Sequence, residues 1–321
     1  MPNIYIQSLE QGYRNCISRA LEFLGESGRI VSGTRVAVKP NLTFPTFRKG
    51  VMTNPEAVEA LVGYLKNYTD HIVICESDSG GYNRFSMDEV FTATGIAAMA
   101  KRYGVQIVNL SHVASRPISF RHGLRRLSVP LPTLLLDETD LFITMPVPKV
   151  HCNTGVSISM KNQWGIIQQP DLRLKLHPYF DEVIYQVNKA LPKTISIVDG
   201  KYGLTRSGPM RGDVVNLDWM VIGDNLFYVD YVVTQLMGYD YRQIPHLRHA
   251  FRKEGIRSVD DVVFNSDYKQ FIRKSFYLKR EWTDYPGLFT FNSRLLAYIG
   301  YESILAKPLH WLLYRFREPF Y

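Results

Sequence analysis

Between residues 148 and 165 the chain reads Pro-Lys-Val-His-Cys-Asn-Thr-Gly-Val-Ser-Ile-Ser-Met-Lys-Asn-Gln-Trp-Gly. Lys149, His151 and Lys161 share this short stretch with the hydroxyls of Ser157 and Ser159 and the amide of Asn162. Ammonium groups supply charge for holding a phosphate or carboxylate, and hydroxyl, amide and backbone N–H groups supply direction. A histidine there exchanges protons near neutral pH, and a lysine desolvated beside a second cation is driven towards use as a base or nucleophile. Taken singly, each of these residues fits a solvated surface or a structural role as well as a ligand role. Their density favours a site.

Other residues of matching chemistry lie elsewhere. Lys39 and Asn41 close an apolar run, and His177 precedes a segment of helical spacing as a second candidate proton carrier. Glu76, Asp78 and Asp199 are candidates for holding a divalent ion, orienting a substrate hydroxyl or acting as acid and base, although their spacing matches no specific metal motif. Residues 203–212 contain three glycines, one proline and two arginines, so Gly208 and Arg211 sit in a loop whose backbone could approach an anion. That loop is neither a Walker loop nor a dinucleotide-binding glycine fingerprint.

The elements that must position these residues follow from periodicity. Short apolar runs at 36–38, 72–75, 107–110, 141–145, 195–198 and 220–222 each end in polar residues, and helical spacing fills 55–68, 87–103, 180–190 and 226–237. Strands and helices alternate, and the runs are too continuous for strands wet on one face. The expected fold is therefore α/β, a mostly parallel sheet with helices on both faces. Ligands of such sheets bind beyond the carboxyl ends of the strands, where Asn41, Asp78, Lys149, Asp199 and Asp224 would gather. Thr53-Asn54-Pro55-Glu56 reads as a helix start, with Thr53 or Asn54 as N-cap and an N-terminus that could receive an anion. From Val156 to Lys161 apolar and polar residues alternate, so a strand would align Ser157, Ser159 and Lys161, while a helix would still join Ser157 to Lys161.

A chain of 321 residues with 45% hydrophobic and 21% charged residues can bury one large core, and it has no apolar run long enough to span a membrane. We expect a main α/β domain over 1–240 and a helical extension over 241–321 packed on it. Residues 271–321 hold fourteen aromatics in fifty-one positions, with eight Lys/Arg against four Asp/Glu. Residues 294–316, including Tyr314, read as two amphipathic helices interrupted at Pro308. They suit a cap on the sheet, a homodimer surface or contact with a membrane surface. Cys16, Cys75 and Cys152 form no Cys-x-x-Cys pair, which argues against a disulfide framework, a zinc ribbon and an iron–sulfur cluster. No secretory signal is visible, so the cytoplasm is the expected address, with the inner face of the membrane as the alternative. The net charge of +8 suits acidic partners of several kinds, and no nucleic-acid motif accompanies it.

The succession Val38-Lys39-Pro40-Asn41, Thr53-x-Pro55, Glu76-Ser77-Asp78-Ser79, Lys149-x-His151, Lys161-Asn162-x-x-Gly165, His177, Asp199-Gly200, Gly208-Pro209, Asp230 and Met237-Gly238 resembles the family called domain of unknown function 362, over roughly residues 34–240. The lysine–histidine and lysine–asparagine elements are that family's hallmark, and both are kept here. Many members also carry ferredoxin-type cysteine clusters, which this chain lacks. A fainter resemblance, at the level of fold, reaches the amino-terminal domain of the lactate racemase family. The expectation is an enzyme that binds an anionic, phosphorylated or carboxylated small molecule and performs proton-transfer or group-transfer chemistry. Lys149 and Lys161 would act as clamps, His151 as general acid or base, and Asn162, Ser157 and Ser159 as orienting groups. A non-catalytic anion or metal carrier, and a membrane-surface protein handling a lipid-linked substrate, are the alternatives.

Overall fold

The computed structural model describes residues 1–79, 85–273, 275–313 and 315–316. Its strands are Asn3–Ser8 (β1), Val36–Pro40 (β2), Ile72–Glu76 (β3), Gln106–Asn109 (β4), Ser115–His122 (β5), Arg125–Pro132 (β6), Leu141–Met145 (β7), Lys149–His151 (β8), Gly155–Ser157 (β9), Lys193–Thr205 (β10), Asp213–Gly223 (β11) and Val263–Phe264 (β12). The main sheet runs β12-β1-β11-β10-β7-β2-β3-β4, with β8 joined to β10 and β9 to β8. From β10 to β4 every neighbour is parallel, whereas β11 is antiparallel to both β1 and β10. The fold is the expected α/β arrangement of a mostly parallel sheet.

Alternate side chains of each strand enter different cores, which is why the strands read as unbroken apolar runs. Val36, Val38, Ile72, Ile74, Leu141, Ile143, Ile195 and Ile197 pack on one face with the helices Gly12–Phe23, Pro55–Leu65, Met87–Ala93 and Ile96–Tyr103. Ala37, Val73, Cys75, Phe142 and Val198 face the helices Phe180–Ala190, Leu226–Leu236 and Pro245–Glu254. Parallel register puts Lys39 beside Thr144 and Glu76 beside Asn109, so the polar strand ends share one edge of the sheet.

Several local expectations change. The predicted helix over 87–103 divides at Gly95, which adopts φ +80° and starts the second helix. Alternation from Val156 to Lys161 is not one strand: β9 stops at Ser157 and a short helix, Ser159–Asn162, follows. Strand β1, the helix after it and the exposed β5–β6 hairpin lacked a periodic signal strong enough to anticipate. Residues beyond 240 do not begin as an appendage, because Pro245–Glu254 packs in the core and β12 extends the sheet through β1. After that come the helices Tyr285–Asn292, Arg294–Ala297 and Ala306–Leu313, with a π-turn between the last two. Pro308 lies in the first turn of the last helix, where no backbone N–H is needed, so it does not interrupt it. Tyr314 lies outside the described residues.

Gly200 is the cross-strand partner of Trp219 in the β10–β11 ladder, and the fully buried indole lies directly over it. A Cβ at this position would stand 2.2 Å from the indole ring. Gly200→Ala should therefore lower stability by about 1–3 kcal/mol through overpacking. A urea denaturation midpoint unchanged from wild type would show that the ring can shift freely.

Candidate functional site

The site begins with a buried ion pair at the ends of β2 and β3. Lys39 Nζ donates to Glu76 Oε2 at 2.7 Å and to Asn162 Oδ1 at 3.4 Å, and both charged side chains are almost fully enclosed. Such a pair holds because each ion directly compensates the other away from water. Gly165 gives it room, since a Cβ there would lie 2.9 Å from Glu76 Oε1 and 3.2 Å from Lys39 Nζ. That accounts physically for the glycine three residues after Asn162.

Two further lysines approach from the segments after β7. Lys149, on β8, donates from Nζ to the carbonyl of Val51 at 2.7 Å, and Asn41 Nδ2 donates to the same carbonyl. Lys161 sits in the helix Ser159–Asn162, whose first N–H groups, Ser159 N and Met160 N, both donate at 2.8 Å to the buried carboxylate of Asp230. Asp230 thus fixes the turn that carries Lys161 and Asn162. Lys161 Nζ has no hydrogen-bond or carboxylate partner among the described residues and lies 5.6–5.9 Å from the ring centres of Phe180 and Trp164. Burial, together with neighbouring cations, pushes both amines down to about 7: Lys161 and Lys39 act on Lys149, and Arg173 and Lys39 act on Lys161.

Arg173 went unnoticed in the sequence. It is buried, and its guanidinium donates to the carbonyls of Ile167, Asp78 and Gly165 and to Ser77 Oγ. None of these acceptors carries charge, and burial pushes its pKa down to about 10. No residue pattern signals such an arginine, because its partners are mostly main-chain carbonyls.

The histidines are neutral by construction. His151 Nδ1 accepts from the backbone N–H of Asn153 and of Thr154, which leaves the proton on Nε2. Burial, reinforced by Lys161, holds His151 well below the usual imidazole range. His177 stacks on Phe291 with ring centres 4.5 Å apart and contacts Asn153 through Nδ1 at 3.3 Å; burial pushes it down to about 3. His246, also missed by sequence reasoning, is buried against Phe180 and likewise lowered to about 3.

These groups open on a cavity of about 750 Å³. Its lining includes Lys39, Asn41, Glu76, Lys149, His151, Ser157, Lys161, Asn162, Arg173 and His177 from the main body. The opposite wall is formed by the C-terminal helices and is largely apolar, from Trp282 through Phe291 and Leu309 to Phe316.

Other expected site residues do not converge there. Ser159 is fully buried and its hydroxyl meets that of Ser196 at 2.6 Å, so it braces the turn instead of facing the cavity. Gly208 and Arg211 lie outside the lining, although Pro209 and Met210 belong to it. Glu76, Asp78 and Asp199 are separated: Glu76 holds Lys39, Asp78 accepts from Met87 N and Asn109 Nδ2, and Asp199 accepts from Tyr13 Oη and Asn54 N. Among the described residues they form no common ligand set. Asn54 is the N-cap of Pro55–Leu65, so the helix N-terminus expected to receive an anion is occupied by Asp199.

Fold and site together define an α/β protein with a cation-lined, half-apolar cavity beyond the carboxyl ends of a mostly parallel sheet. The chain belongs to the family described as Domain of unknown function (DUF362), whose model matches residues 36–235. The thylakoid-associated protein sll1697 of Synechocystis sp. is 27% identical over 251 residues, which cover 74% of each chain. Among solved structures, the lactate racemase apoprotein from Thermoanaerobacterium thermosaccharolyticum matches with a TM-score of 0.46 at 14% identity, over 73% of this chain and 56% of that one. A structural-genomics protein from Thermotoga maritima matches with a TM-score of 0.41 at 15% identity, over 69% and 57%. The chain thus spans little more than half the length of these two structures. No helix among the described residues is long and apolar enough to cross a membrane.

Removing one member of the Lys39–Glu76 pair strands the other without solvent. Lys39→Met should destabilise the protein by about 3–5 kcal/mol, and adding Glu76→Gln should recover much of the loss. Equal stability of the single and double variants in chemical denaturation would contradict the pairing.

Proposed function

We propose that this protein is an enzyme acting on an anionic small molecule, carboxylated or phosphorylated, by proton transfer or group transfer in the Lys/His cavity. The observation that carries this reading is the charge imbalance: Lys149, Lys161 and Arg173 line one cavity, whose carboxylates are Glu76, already engaged by Lys39, and Asp284, which accepts from Glu281 N on the C-terminal wall. An anion would supply the missing countercharge, and Arg173 and Lys149 are held by the scaffold in fixed positions to receive it.

Within this reading Lys161 is the reactive group. Its amine has no hydrogen-bond or carboxylate partner among the described residues and lies in aromatic surroundings. With a pKa of about 7 it is both charged and uncharged in appreciable amounts at neutral pH. Uncharged, it can take a proton from the bound molecule or add to an electrophilic centre in it. His151, with Nδ1 occupied, offers Nε2–H as a fixed donor and is better suited to orienting the substrate than to shuttling protons. Ser157 and Asn162 add polar contacts on the same wall. We also place the activity at a membrane surface on the cytoplasmic side, which the thylakoid association named for the Synechocystis relative supports.

Charge and reactivity separate in Lys161→Arg, which keeps a cation but cannot lose its proton. Wild-type protein should bind inorganic phosphate or a short carboxylate calorimetrically and turn over at least one member of a panel of sugar phosphates, acyl phosphates and oxo acids followed by mass spectrometry. Lys161→Arg should retain binding within about tenfold and lose turnover by at least a hundredfold. Undiminished turnover in that variant would remove Lys161 from the chemistry. Binding without turnover of any panel member in wild type would favour a carrier.

A further inference from the structure

The cavity is larger and more divided than a small anion requires. A volume of about 750 Å³ suits a molecule of drug size, yet the cationic groups occupy only its sheet-side wall. The facing wall comes from the C-terminal helices and presents Trp282, Phe289, Leu309, Leu312 and Phe316. Those five side chains are also 45–65% exposed on the molecular surface. Large apolar side chains of the lining therefore also reach the outer surface, with Thr283, Asp284, Thr290 and His310 among them, and this side of the cavity is far greasier than a site for a soluble metabolite requires.

The outer surface continues the pattern. Leu295, Ile304, Leu305 and Trp311 do not line the cavity and are 53–94% exposed on the same helices and the turn before the last of them. Exposed Arg294, Lys307 and Arg315 lie among them, with Arg315 resting 4.3 Å from the ring centre of Trp311. Large apolar side chains interspersed with cations on short helices match the chemistry of an anionic lipid surface, where rings and aliphatic chains enter the acyl boundary and the cations meet headgroups.

We propose that the ligand of this cavity is an amphiphile drawn from a membrane, its anionic headgroup held by Lys149, Lys161 and Arg173 and its hydrocarbon chain lying under the C-terminal helices. The proposal rests on the anionic-substrate reading above and adds the substrate's tail and the route of entry. The helices of residues 285–313 seat on the lipid surface, and the substrate enters along the largely apolar C-terminal wall until its headgroup reaches the cations.

A homologous series separates the two readings. Inorganic phosphate, butyl, hexyl and octyl phosphate, each below its micellar concentration, are titrated into the full-length protein by calorimetry. Affinity should rise about fourfold for each methylene buried, then level off when the apolar wall is filled. Equal affinity for all four would overturn the amphiphile and leave the anionic site standing. Failure of all four to bind would overturn both. Flotation with phosphatidylcholine vesicles containing phosphatidylglycerol tests the route. Wild-type protein should float, and Trp311→Ser combined with Ile304→Ser should reduce flotation at least fivefold while phosphate affinity stays unchanged. Concentration-dependent dimerisation without flotation would assign the outer face to a second copy and overturn membrane entry.

Discussion

The site depends on a buried excess of positive charge. Lys39, Lys149, Lys161 and Arg173 line one cavity at the sheet edge, and Glu76 forms its ion pair with the first of them. Placing cations together away from water is unfavourable, and the two amines respond by moving down to about 7. The direction has a consequence for the empty protein. Each lysine titrates lower folded than unfolded, so the destabilisation it brings is full below about pH 7 and fades as pH rises towards the usual lysine range. An anionic ligand relieves the same strain, which makes binding and folding favour one another below that pH.

Carboxylates elsewhere in the fold are committed to holding the site's geometry. Asp230 receives the first N–H groups of the turn bearing Lys161 and Asn162, and burial raises its own carboxyl to about 7. Asp199 joins Tyr13, the N-terminus of Pro55–Leu65 and β10, in a buried position that raises its carboxyl above the usual range. The loop before that helix supplies Val51, whose carbonyl anchors Lys149. Rigid scaffold groups thus fix Lys39, Lys149 and Arg173, whereas Lys161 Nζ has no hydrogen-bond or carboxylate partner among the described residues. Positioning of this sort is what binding energy and catalysis both require.

Much of this was legible in residue order. Apolar runs ending in Lys39, Glu76 and Asp199 located the central strands, because residues buried on both faces leave an unbroken hydrophobic signal. The Lys149–Lys161 segment announced itself through polar density. What sequence could not resolve was which polar residues serve the cavity and which serve the fold. Ser159 and Ser157 look alike in the alternating pattern, yet a strand-to-helix change between them turns one to Ser196 and leaves the other at the cavity. Asp199 looked like a ligand for a metal or hydroxyl, but it is engaged by the Lys201 N–H beside it and by a tyrosine and a backbone N–H over a hundred residues away in the chain. Arg173 and the apolar far wall are long-range features with no local period. The tail's aromatic richness was plain, whereas its role in enclosing the cavity emerges only from the packing.

Direct observation of the lysine side chains tests the central claim. With ¹³C-labelled lysine, the Cε resonances can be followed through a pH titration and assigned with Lys149→Met and Lys161→Met. In the ligand-free protein two lysines should titrate near pH 7, well apart from the rest, and added phosphate should move both upward. Titration of every lysine in the ordinary range near 10, unmoved by phosphate, would contradict a buried cationic site waiting for an anion.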